Sequence, residues 1–77
     1  EEILITLSPN PSSGIFTVTA KEEIESIEIY NVLGEKIYKS EMRYKKCEID
    51  LSTQAKGIYF IQVYSEKGTV TKKLIIN

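Results

Sequence analysis

Seventy-seven residues, of which 42% are hydrophobic and 27% charged, describe one globular domain and exclude a disordered chain. Ten basic and eleven acidic residues are interspersed and leave a net charge of −1, so no long-range field draws in nucleic acid or an anionic membrane. Histidine is absent and Cys47 is the only cysteine, which excludes an internal disulfide and a zinc site of cysteine and histidine ligands.

A domain of this size buries only roughly 60% of the surface that its unfolded chain exposes, so modest stability is expected. No apolar run is long enough to span a bilayer as a helix. The sequence starts at Glu1-Glu2 with neither a basic segment nor an apolar core of the signal-peptide type. The expectation is a single domain over residues 1–77 that forms part of a longer secreted protein and continues upstream into a linker or another domain.

The apolar pattern has period two throughout. Ile3-Leu4-Ile5-Thr6-Leu7 reads as a first strand. Pro9-Asn10-Pro11-Ser12-Ser13-Gly14 is turn chemistry: the prolines remove two amide donors and Gly14 is free to take a positive φ. Phe16, Val18 and Ala20 share one face of a second strand, and Lys21-Glu22-Glu23 reads as a charged connection. Residues 24–30 form a third strand with Ile27 and Ile29 inward. Asn31-Val32-Leu33-Gly34 is a hairpin turn, and residues 35–40 pair back around Ile37.

Residues 41–46 are charged and read as an irregular, extended edge. Residues 47–51 make a short strand with Ile49 and Leu51 inward, followed by a loop over residues 52–57. Residues 58–64 are β-branched and aromatic nearly throughout, as a central strand covered on both sides should be. Ser65-Glu66-Lys67-Gly68 turns the chain into a closing strand over residues 69–76. About seven short strands separated by turn signals predict an all-β fold, a small Ig-like antiparallel β-sandwich.

Catalytic chemistry finds little to work with. Without histidine, Ser-His and Cys-His arrangements are excluded. Glu22 and Glu23, and the pair Glu48 and Asp50, are the nearest carboxylate candidates; the second pair shares the face opposite Ile49 and Leu51, which alternation assigns to solvent. Cys47 lies in phase with Ile49 and Leu51 and reads as a small hydrophobe, although Lys45 and Lys46 precede it. Lys72-Lys73 reads as protection of an edge strand. The five tyrosines are spread over several segments, with no basic groove beside them. No catalytic, cofactor-binding or metal-binding residue is expected.

Three patterns occur in order. The first is Leu7-Ser8-Pro9-Asn10-Pro11 followed by Gly14 and a strand. The second is Ile27-Glu28-Ile29-Tyr30-Asn31-Val32-Leu33-Gly34-Glu35-Lys36-Ile37. The third is Ile49-Asp50-Leu51-Ser52 leading to Lys56-Gly57-Ile58-Tyr59-Phe60-Ile61-Gln62-Val63, and the sequence then closes on Lys72-Lys73-Leu74-Ile75-Ile76. Together they resemble the type A C-terminal sorting domain carried by cargo proteins of the type IX secretion system of Bacteroidetes. Two positions depart from that pattern: Asn31 stands where an aspartate is usual, and Asn77 stands where a basic residue is common.

The resemblance implies a module that is not an enzyme. It directs a cargo from the periplasm across the outer membrane and is then typically removed by a sortase-like cysteine protease, leaving the cargo secreted or at the cell surface. The implied partners are the outer-membrane translocon and that protease. The implied recognition residues are Pro9, Asn10, Pro11, Gly14, Gly34, Gly57, Tyr59, Lys72, Lys73, Leu74, Ile75 and Ile76. An apolar closing strand is also suited to strand addition by a partner, or to strand swapping between two copies. The rival reading is an Ig-like accessory module that spaces domains or binds carbohydrate through an exposed set such as Tyr38, Tyr44 and Tyr64.

Overall fold

Alternating apolar residues need hydrogen-bonded neighbours before they can bury one face, and here antiparallel pairing supplies them. The computed structural model describes residues 4–77. Its strands are β1 (Ile5–Ser8), β2 (Ile15–Tyr30), β3 (Lys36–Asp50), β4 (Gly57–Ser65) and β5 (Gly68–Ile76). Every pairing among them is antiparallel. The fold is all-β, as expected, but the seven expected segments form five strands; Ile3, assigned to the first of them, lies outside the described residues.

The difference arises at two charged stretches. Residues 21–23 are not a connection and residues 41–46 are not irregular; each runs on as strand inside β2 and β3. Backbone pairing holds them there. The Lys21 amide donates to the Leu4 carbonyl at 3.2 Å, and Glu41, Tyr44 and Lys46 pair with Ser26, Ile24 and Thr19. A ladder needs only backbone groups, so charged side chains pointing to solvent do not interrupt it. Register shifts between Thr19 and Ile24 and between Ile24 and Ser26 mark bulges at this bend. They move the buried phase of β2 from Phe16, Val18, Ala20 and Ile24 to Ile27 and Ile29. A phase change of this kind makes one bent strand read as two.

β2 organises the sheet. β3 lies along one side of it for its whole length, β1 pairs with the first half of its other side, and β4 with the second half, with β5 beyond β4. The sheet curls around a single core in which Phe16, Val18, Ile24, Ile27, Ile29, Ile49, Ile61, Val63 and Leu74 are fully buried. β4 contributes Tyr59, Ile61 and Val63 to this core and turns Phe60 outward, so the strand expected to be covered on both sides is covered on one.

Candidate functional site

The first and last motif segments lie at opposite ends of the sequence, and the fold brings them together at one edge of the sheet. Two prolines flank Asn10, and the peptide bonds preceding both are cis. The Asn10 side chain acts as a substitute peptide group against β5: its Nδ2 donates to the Lys73 carbonyl at 2.9 Å and its Oδ1 accepts from the Ile75 amide at 3.1 Å. Ser12 continues the contact as a parallel bridge to Ile76. Its amide donates to the Ile75 carbonyl and its carbonyl accepts from the Asn77 amide, both at 2.8 Å. Residues 9–12 thus form a strap that closes the outer edge of β5 from Lys73 to Asn77.

The strap is anchored from behind. The Ser12 side chain is buried; its hydroxyl accepts from the Gly14 amide at 2.8 Å and donates to the Ile15 carbonyl at 3.2 Å. Gly14 takes φ +124°, and its carbonyl accepts from the Leu51 amide at 2.7 Å. A β-carbon here would stand 2.8 Å from the Cα of Ser52, so only glycine fits both the conformation and the space. Gly57 opens β4 opposite Ile76, and buried Tyr59 faces Leu74 across the ladder while its hydroxyl donates to the Ala55 carbonyl.

Gly34 belongs to the β2–β3 hairpin rather than to the strap, yet that hairpin borders the start of β4. Asn31, Val32 and Leu33 line one wall of a shallow hollow of about 220 Å³ whose other wall is residues 55–59. Lys72 and Lys73 diverge. Lys73 is on the outer face opposite Phe60, whereas Lys72 falls in the inward phase opposite Ile61 and remains exposed. Leu74 and Ile76 are buried in the core, so their part in this edge is structural.

Residues 6–77 match the secretion system C-terminal sorting domain. The chain belongs to this family. It is also 36% identical over 75 residues to an endo-acting ulvan lyase of Formosa agariphila; the match covers 94% of this chain and 14% of that relative. The chain therefore spans about a seventh of the curated relative that it matches. Membership implies a sorting signal for type IX secretion to the cell surface or the extracellular space.

The hairpin departure is benign in this sorting domain. Asn31 Oδ1 accepts from the Leu33 and Glu35 amides, both at 3.0 Å, which an aspartate carboxylate would do equally well. Its Nδ2 adds a donor that aspartate lacks, reaching Glu35 Oε1 at 2.8 Å. Gly34 completes the turn at φ +83°.

One polar cluster of the sorting domain was not legible beforehand. Glu28, on the outer face of β2, accepts from the hydroxyls of Tyr30 at 2.7 Å and Tyr64 at 2.9 Å and from Lys36 Nζ at 3.0 Å. The hydrogen bond from Tyr30, then those from Lys36 and Tyr64, lower its pKa to about 2. The same bonds to Glu28 raise the pKa of Tyr30 and of Tyr64. The outward phase that Glu28 shares with Tyr30 on β2 follows from alternation, but Lys36 and Tyr64 come from strands whose register the sequence does not state.

The other singled-out groups take bland positions. Tyr38 packs toward the core beside Ile29, Tyr64 lies on the outer face and Tyr44 is exposed, so no single face presents all three. Glu48 and Asp50 are exposed, as alternation suggested. Asp50 is held below its ordinary pKa by hydrogen bonds from Ser52, side chain first and then backbone. Cys47 is half-buried against the core, and burial pushes its thiol up.

Proposed function

We propose that this chain directs a cargo protein out of the periplasm and across the outer membrane through the type IX translocon, after which a sortase-like protease removes it. The observation that carries the reading is the convergence of the Pro9-Asn10-Pro11 motif on β5. Two sequence motifs that are far apart make one surface, as a module recognised folded by a shared machine requires. The curled sheet, with both halves of β2 and β3 contributing to one core, is read as a reduced Ig-like sandwich. The cargo is unassigned; the lyase activity named for the relative is not carried over.

The test is to fuse residues 1–77 behind a signal peptide and a fluorescent protein in a host with an intact type IX system. Fluorescence in the medium or on the surface is the expected outcome, with a shortened fusion wherever a sortase acts. Retention in the periplasm would count against the proposal.

A further inference from the structure

The strap closes only part of β5. Ser65 and Gly68 flank the two-residue turn at Glu66-Lys67, and the register from that turn to Gly57 and Ile76 is unbroken. In such a ladder the backbone groups of alternate residues point away from the partner strand. Ile75 is one of the outward residues, since both its amide and its carbonyl bond to the strap. Thr69, Thr71 and Lys73 are therefore outward too. Only the Lys73 carbonyl of this set is taken, by Asn10. The amides and carbonyls of Thr69 and Thr71 and the amide of Lys73 have no partner among the described residues.

From this we infer that residues 69–73 of β5 accept an added strand from the secretion machinery, an extended acidic segment of about five residues at ordinary strand spacing. The inference rests on the sorting reading above and deepens it. Asn10 sets the register, because an incoming strand cannot pass the Lys73 carbonyl that the side chain already occupies.

Two features favour this edge. The open side of β3 carries charges of both signs from Lys36 to Asp50, which match no added strand of a single charge, and β1 is only four residues long. Thr69, Val70 and Thr71 carry no charge. The acidic character of the partner follows from Lys72 and Lys73, whose exposed ammonium groups stand on opposite faces of the strand, so carboxylates on either face of an added strand find one. A second copy supplies these lysines with no carboxylate: antiparallel self-pairing about Thr71 would set Lys72 opposite Val70 and Lys73 opposite Thr69.

The fluorescent fusion provides the test, with three variants. Thr71→Pro removes an outward amide that β4 does not use and obstructs an added strand, a substitution that edge strands tolerate. Lys72→Glu with Lys73→Glu reverses the charge, and Thr53→Ala in the loop before β4 is the control. Folding of each variant is checked by thermal circular dichroism of the 77-residue chain. The first two are expected to reduce the secreted fraction at least tenfold and Thr53→Ala to leave it unchanged. If Thr71→Pro does not fold, the charge-reversed pair decides.

Folded variants secreted within twofold of the unaltered fusion would overturn the inference and leave the sorting reading intact. Retention of the unaltered fusion would overturn both. A dimer of the unaltered chain in sedimentation that Thr71→Pro returns to monomer would also overturn it, by giving the edge to a second copy.

Discussion

Asn10 and Ile75 are 65 residues apart in sequence, and the side-chain oxygen of one accepts the backbone amide of the other at 3.1 Å. With the bond from Nδ2 to the Lys73 carbonyl, one amide side chain satisfies two adjacent peptide groups of an edge strand. Proline on either side supplies no amide to compete for that edge, and the Asn10 side chain carries both the donor and the acceptor that the two peptide groups need.

Asn10→Ala removes both bonds. Each exposed bond of this kind sits in the lower part of the usual range, about 0.5–1 kcal/mol, so a loss of about 1–2 kcal/mol is expected. That is a fall in melting temperature of about 5–10 °C for a domain of this size. Amide exchange at Ile75 should accelerate in the same variant. A variant that melts like the parent, with Ile75 still protected, would mean that the strap does not hold β5.

Gly14 and Gly34 provide a matched comparison. Both have positive φ, but a β-carbon at Gly14 meets the backbone of Ser52, whereas one at Gly34 meets nothing within 4 Å. Gly34→Ala should cost about 1 kcal/mol for the conformation alone. Gly14→Ala adds a backbone displacement and should cost about 2–4 kcal/mol. Urea unfolding of the two variants decides; equal costs would contradict the steric argument.

These comparisons show what was legible in the sequence and why. Turn positions were, because glycine and proline act locally: Gly34 and the Asn31 turn form where alternation stops. Burial was legible for Phe16, Val18, Ile27, Ile29 and Ile49, because one strand face is a local pattern. The continuity of β2 through Lys21-Glu22-Glu23 was not, since a bulge changes phase without changing composition. Nor was the contact of Asn10 with β5, which depends on the order in which strands lie beside one another. The motif residues stand out in the sequence by their order and spacing, but the divergence of Lys72 and Lys73 onto opposite faces appears only with the register of β4.

The Glu28 cluster predicts an acid-sensitive component of stability. The pKa of this carboxylate is lowered in the folded chain to about 2 from an ordinary 4.5, so its stabilisation is present above about 4.5 and is lost as pH falls toward 2. Replacing it by Glu28→Gln should flatten the pH dependence of the melting temperature across that window. Tyr30 and Tyr64 have the opposite sign: their raised pKa values give stabilisation that is full below about 10 and is lost as pH rises through the folded values. A Glu28→Gln variant that keeps the full acid slope would place the sensitivity elsewhere.

Cys47 tests the inward phase of the second half of β3. It pairs with buried Val18 and packs against the core, while Lys45 and Lys46 before it are exposed. Were those lysines to dominate, the thiol would be acidic and reactive. Burial instead raises its pKa, so little thiolate forms near pH 8 and the reagent must also reach a half-covered sulfur. Modification by an aromatic disulfide reagent at pH 8 should be at least tenfold slower in the folded chain than in urea. Because the folded pKa is raised, the thiol contributes stability below its ordinary pKa that is lost as pH rises through the folded value. Cys47→Ser, which replaces a soft apolar contact by a hydroxyl, should lower stability by about 1 kcal/mol. Rapid modification of the native chain together with an unchanged melting temperature in Cys47→Ser would show that the side chain points to solvent and that the phase of β3 is reversed.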